Sequence, residues 1–130
     1  INIPIYLQDI MPTTLELAEV DIPSSVEFKS LVPLIRETNK NHYDYIYGGF
    51  RGLQRSITDG EWKLIHYTNG NINRLYNITK DPNEMIDLAL DKKHRKNLND
   101  LKSKLVDLSQ RLNDPIDYDN PMDSWEKNKK

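Results

Sequence analysis

The sequence predicts an α+β domain: a four-stranded antiparallel sheet packed against a long C-terminal helix. Three observations predict it. Asp59-Gly60, a strong short hairpin signal, sits between two β-rich runs, Gln54–Thr58 and Trp62–Tyr67. Two further β-rich runs flank that hairpin, YDYIYGGF from Tyr43 before it and RLYNI from Arg74 after it. Leu98, Leu101, Leu105, Leu108 and Leu112 then recur at spacings of 3, 4, 3 and 4, with mostly polar residues between them. That is one apolar stripe on a solvated helix.

The first elements are shorter. Ile3–Leu7 alternates weakly and is expected to be a strand, with Pro4 placing it near an edge or a start. Asp9 precedes Ile10-Met11-Pro12, an acidic N-cap followed by a proline with no N–H to orphan. The helix this starts should stop near Val20. After the loop Asp21–Ser25, Ser30–Ile35 reads as one or two helical turns with Pro33 in the first, and Glu37–Asn41 reads as a linker.

The sheet follows, with strands expected at about 43–48, 53–58, 62–67 and 74–78. Tyr43, Tyr45 and Tyr47 share one face of the first, which Gly48-Gly49 should end or bend. Asn69-Gly70-Asn71 supplies the polar loop before the last strand. Thr79–Asn83 is a turn, with Asp81 bonding backbone groups ahead of it. Asn83–Leu90 is expected to be a short helical turn laying Met85, Leu88 and Ala89 on the sheet. The long helix should run over Lys92–Leu112 and stop at Asn113-Asp114-Pro115. Residues 114–130 form a polar tail with possible anchors at Met122 and Trp125.

Totals exclude several functions. The 130 residues carry a net charge of −2, so no basic field recruits nucleic acid or an anionic membrane. No apolar run approaches the ~20 residues of a membrane span. There is no cysteine, hence no disulfide, thiolate nucleophile or cysteine metal site. The chain begins at Ile1 in what reads as a strand entered part-way, and is expected to be a piece of a longer protein.

No complete active site can be assembled from the residues. His42, His66 and His94 lie far apart and none is paired at metal-ligand spacing. His66 is expected to be structural or exposed, and His94 to face solvent. Asn77-Ile78-Thr79 matches a glycosylation acceptor, a common match of little weight. One cluster stands out around the glycine-rich bend: Tyr47, Phe50, Arg51, Gln54 and Arg55. Arginine forks suit sulfate, phosphate or carboxylate, and aromatic faces suit sugars, so these five are a candidate binding patch, set against a plain exposed loop with structural arginine pairs; the substrate contact they would make belongs to the family resemblance given next.

Gln8-Asp9-Ile10-Met11-Pro12-Thr13-Thr14-Leu15-Glu16-Leu17-Ala18 and Val26-Glu27-Phe28-Lys29-Ser30-Leu31-Val32-Pro33-Leu34-Ile35 resemble a segment late in type I, arylsulfatase-like sulfatases of the alkaline phosphatase superfamily. Gln54 to Tyr67 and Arg74 to Ala89 resemble their C-terminal subdomain, and the order holds from about Tyr6 to Leu112. The wording GGFRGLQR looks most like bacterial choline-sulfatase-like or glycan sulfatases. The resemblance implies that residues 1–40 are the end of the large α/β sulfatase domain, a strand and a helix. Residues 41–113 would be the C-terminal subdomain.

It also implies an activity, hydrolysis of sulfate esters in the parent enzyme, with a sulfated small molecule or glycan as substrate. Such enzymes use a formylglycine made in a C/S-x-P-x-R motif and a divalent cation, usually calcium. Neither that motif nor the metal-binding motifs occur here, so no catalytic or metal residue carries over and the chain alone should be inactive. A missing N-terminal sulfatase domain is the implied partner, and a periplasmic or secreted location the implied one. Without that domain, Ile10, Leu17 and Val20 should be left partly exposed. A free-standing module that binds anionic glycans and a phosphoryl-transfer relative of the same superfamily are the alternatives.

Overall fold

The computed structural model describes residues 3–114 and residue 118; the expected anchors Met122 and Trp125 lie outside the described residues. The chain forms two compact units, Ile1–Ile46 and Tyr47–Lys130.

In the first unit a 3-10 turn, Leu7–Asp9, runs directly into helix α1, Ile10–Leu17, and a second short helix, α2, spans Val32–Ile35 with Pro33 in its first turn. Residues 3–6 do not form the expected strand; they lead irregularly into the turn. Helical geometry starts at Leu7, and Asp9 itself sits at φ −64°, ψ −18°. This overturns its expected role as cap of α1, because a residue already inside the helical spiral turns its side chain away from the amides ahead. The Asp9 carboxylate instead reaches back to the Tyr6 N–H at 2.8 Å.

α1 packs inward through Pro12 and Thr13, next to Asp9 of the preceding turn. Asp9, Pro12 and Thr13 are buried, and the Thr13 hydroxyl accepts from the Leu31 N–H at 2.8 Å, tying the helix to the start of α2. Leu7, Ile10, Met11 and Leu17 lie on the opposite, exposed side, spaced as one helical stripe. The helix closes at Glu19, which takes a left-handed φ of 58° so that the Val20 N–H can bond the Leu15 carbonyl at 2.9 Å.

The second unit holds a four-stranded antiparallel meander in the order β1-β2-β3-β4: β1 Ile46–Phe50, β2 Gln54–Thr58, β3 Trp62–Tyr67 and β4 Ile72–Asn77. β2 ends at Thr58 and β3 starts at Trp62, so three residues, Asp59–Glu61, make the connection. Asp59 Oδ1 accepts from the amides of Glu61 and Trp62, and Gly60 takes a φ of 93° that other residues adopt at a cost.

β1 starts three residues later than expected, and its two glycines lie inside the strand. A Cβ on Gly48 would stand 2.9 Å from Ser56 Oγ, and one on Gly49 3.2 Å from the Arg55 side chain. The glycines therefore let β1 approach β2 closely instead of ending or bending it.

Alternation sorts the strands. Ile57, Leu64 and Leu75 are fully buried on the face that receives helix α3, Arg95–Arg111, where Leu101 and Leu105 complete the core. α3 begins after a 3-10 turn, Lys92–His94, and Asn113 closes it at φ 51° with the Asp114 N–H on the Ser109 carbonyl. His94 is half-buried, its ring 5.0 Å from that of Trp62, and not freely solvated as expected. Residues 83–90 form turns and no helix, and Met85 is 80% exposed instead of lying on the sheet. Their backbone is committed elsewhere. Asp81 Oδ2 accepts from the Ile86 N–H, and Leu88 N–H bonds the Leu75 carbonyl while Asp87 Oδ1 accepts from the Leu75 N–H. This clip runs along the outer edge of β4.

Candidate functional site

Polar side chains gather at one place in each unit. In the first, Asp9 is fully buried and accepts four hydrogen bonds. They come from the Tyr6 and Lys29 N–H groups at 2.8 and 3.2 Å, the Tyr43 hydroxyl at 2.7 Å, and His42 Nε2 at 3.1 Å when that nitrogen carries the hydrogen. Rings of Tyr6, Phe28, Tyr43 and His42 meet edge-on around it. Lys29 Nζ donates to the His42 carbonyl at 2.8 Å and stands over the Tyr43 ring. Burial, and then the Asp9 carboxylate, push the Tyr43 phenol up to about 12. A phenol held protonated and a carboxylate with its lone pairs occupied make a fixed anchor. It ties residues 42–43 to the start of α1.

In the second unit, Arg55 lies on β2 and is 6% exposed. Its Nε and Nη2 grip Asp114 in a bidentate pair at 2.5 and 2.8 Å, and its Nη1 donates to the carbonyls of Arg51 and Gln54. The Tyr47 hydroxyl donates to the same carboxylate at 2.5 Å. Burial alone would lower the Arg55 guanidinium, but the hydrogen bonds and charge of Asp114 hold it above its usual value. Burial, then the bond to Asp114, raise the Tyr47 phenol well beyond the normal range. The outcome is a turn, Arg51–Leu53, fastened from below by Arg55. Arg51 itself takes a left-handed φ of 51° and is exposed, its guanidinium over the Phe50 ring.

A cleft of about 500 Å³ opens beside that turn, on the sheet face away from α3. Gln54, Tyr67 and Ile72 form one cross-strand row along it, set by the register of β2, β3 and β4. Phe50 and Leu53 add apolar wall, and Asn69 and Arg74 add polar groups. Arg74 Nη1 donates to Asp87 Oδ2 at 2.8 Å, which, with its charge, holds the guanidinium above its usual value.

The five sequence-selected residues thus part into two sets. Phe50 and Gln54 line the cleft and Arg51 stands exposed at the turn, while Tyr47 and Arg55 are engaged with Asp114. Sequence reading missed Asp114, Tyr67, Asn69, Ile72 and Arg74. Strand parity was the available signal: once the hairpin register is set, Gln54, Tyr67 and Ile72 must share a face. Among the described residues no group of three or more His, Cys, Asp or Glu side chains is placed to hold a metal ion. The chain contains no cysteine, and none of its serines is followed by x-Pro-x-Arg, so no residue here is set to become a formylglycine. These residues fit neither group. Asn77 of the glycosylation match is buried, its amide donating to Glu61 and accepting from Thr79 and Lys80.

A four-stranded meander backed by one long helix, joined to a short helical segment, is the C-terminal fold of sulfatases in the alkaline phosphatase superfamily. Over residues 4–111 the chain belongs to the family described as N-sulphoglucosamine sulphohydrolase, C-terminal. It is 32% identical over 103 residues to an arylsulfatase of Clostridium perfringens, covering 77% of this chain and 21% of that one. It is 31% identical over 114 residues to a Delta 4,5-hexuronate-2-O-sulfatase of Bacteroides thetaiotaomicron, covering 82% and 24%. The crystal structure of a putative sulfatase from Bacteroides thetaiotaomicron superposes with a TM-score of 0.72 at 30% identity, over 82% of this chain and 25% of that one. The chain therefore spans about a quarter of the length of these relatives. No helix among the described residues is long and apolar enough to cross a membrane.

Proposed function

We propose that this chain serves as the C-terminal part of an enzyme that hydrolyses sulfate esters of small molecules or glycans. The remainder of that sulfatase, with its own formylglycine and calcium, supplies the bond-breaking groups. The single observation that carries this reading is the outward stripe of α1. Leu7 on the preceding turn and Ile10 and Leu17 on α1 are 78%, 53% and 59% exposed, while Asp9, Pro12 and Thr13 on the other side are buried. A stripe of that kind is a seat for another polypeptide surface. Relatives of four times the length supply one of the right origin. Substrate contact falls to Phe50, Arg51 and Gln54, with Tyr47 and Arg55 positioning them through Asp114. A bacterial, periplasmic or secreted setting belongs to the same reading.

The test is hydrolysis of an aryl sulfate, with calcium, by this chain and by the longest natural product of its gene. Activity in the long product alone is expected. Arg51→Ala there should raise KM several-fold with little change in kcat, the signature of lost binding that is equal in ground and transition states. Activity in the isolated chain, or an unchanged KM in Arg51→Ala and Gln54→Ala alike, overturns the respective halves of the proposal.

A further inference from the structure

We infer that the cleft beside the Arg51–Leu53 turn is a saccharide subsite that takes an uncharged sugar unit, distinct from the group that bears the sulfate. The choice of sugar over other flat, hydroxylated ligands rests on the sulfatase reading above; the rest follows from the lining. At about 500 Å³ the cleft has the size of a small-molecule site, and its make-up, apolar walls with a few placed polar groups, is of that kind. Phe50 and Tyr67 are 51% and 37% exposed, so two aromatic rings are offered to a ligand in a cleft that also holds two amides. Aromatic faces stack on the C–H face of a pyranose, and amides match its hydroxyl pairs, each donating and accepting at once.

Charge decides which sugar unit fits. The cleft lining includes no carboxylate and one cation, Arg74, whose charge is already answered by Asp87 at 2.8 Å. A sulfate entering here would lose its water without gaining an unpaired positive partner, an unfavourable exchange. A neutral ring loses little and gains the stacking. The exposed guanidinium of Arg51, over the Phe50 ring next to the cleft, is the cation left to meet an anionic neighbour on the same chain of sugars.

The experiment follows the side-chain amide NMR signals of Gln54 and Asn69 in the full chain. The probes are chitobiose, cellobiose and lactose, and chitobiose carrying one 6-sulfate. Both signals should move with at least one neutral disaccharide, and for chitobiose the sulfate should change the dissociation constant less than threefold. Tyr67→Ala should weaken binding at least tenfold. Should that variant lose its folded spectrum, Asn69→Ala, on an exposed loop, is expected to weaken binding at least threefold.

Three results overturn the inference. One is that no neutral disaccharide shifts either amide. Another is a tenfold or greater preference for the sulfated probe, which would make the cleft a reader of charge. The last is binding seen in the chain but absent from the longest gene product, which would make the cleft a seam between domains. Sulfate-ester hydrolysis is read separately. Its failure in a long product that still binds neutral sugar strikes the sulfatase reading and leaves the cleft standing.

Discussion

Helices α1 and α3 carry the same kind of apolar stripe and use it in opposite senses. On α3 the stripe points inward, and Leu101 and Leu105 are buried against β2 and β3. On α1 it points outward, and the helix is held instead by Asp9 and Thr13 on its polar side. Amphipathic spacing says that a helix has a face to cover; it does not say whether the cover lies within the same stretch of chain. Hydrogen bonds fix α1, burial of leucine fixes α3, and the two should fail differently.

The largest effect is expected at Asp9. Asp9→Ala removes a fully buried acceptor that serves the Tyr6 N–H, the Tyr43 hydroxyl and His42, while the Lys29 N–H keeps the Tyr43 hydroxyl as a partner, and should cost about 3–5 kcal/mol. Hydrogen exchange should show the Tyr6 and Lys29 amides losing protection while those of β3 keep theirs. If β3 loosens equally, the two units do not hold independently. Next comes Leu105→Ala, which empties a core position and should cost about 2–5 kcal/mol in denaturant unfolding.

His66 gives a pH-dependent contrast of intermediate size. It is buried between sheet and helix, with Nδ1 3.0 Å from Asn73 Oδ1 and Nε2 without a hydrogen-bond partner among the described residues. Burial foremost lowers its pKa, joined by the charge of Lys102 and opposed by the hydrogen bond that Nδ1–H donates to Asn73. The folded state therefore resists protonation more than the unfolded chain does. The second unit should keep its full stability above the ordinary histidine value of 6.5 and lose stability as pH falls below it. His66→Phe should flatten the melting temperature between pH 7 and 5. An unflattened profile would assign the acid sensitivity to other groups.

Smaller still is Glu19→Gly, which relieves a left-handed residue at the end of α1 and should stabilise by about 1 kcal/mol in thermal melts. Smallest is Leu17→Ala, expected to change the stability of this chain by less than about 0.5 kcal/mol, since its side chain is largely exposed. A cost comparable to that of Leu105→Ala would erase the contrast between the helices.

The sheet, its order and the long helix were legible because each rests on local chemistry: Asp59-Gly60 at the hairpin, alternation in β2 and β3, leucines at helical spacing. The first strand was misplaced because its length is set by how closely β1 can approach Ser56 and Arg55, a contact between strands that no local pattern carries. Asp9 was misread for a similar reason. A carboxylate before Ile-Met-Pro looks the same whether it caps the helix ahead or takes partners from Lys29, His42 and Tyr43, twenty and more residues away. At the candidate site, residue types pointed to the Gly-rich bend, and Phe50, Arg51 and Gln54 are found about it. That Arg55 would be occupied depended on Asp114, almost sixty positions later, which reads as a helix stop and nothing more.

The clip formed by Asp87 and Leu88 has a consequence for assembly. It occupies the outer hydrogen-bonding row of β4 around Leu75, so another strand cannot join there. Fibrils that grow by adding sheet to sheet need two open margins per copy, one to receive and one to offer. This sheet has at most one, on the β1 side, so strand addition between copies ends at a pair and cannot propagate.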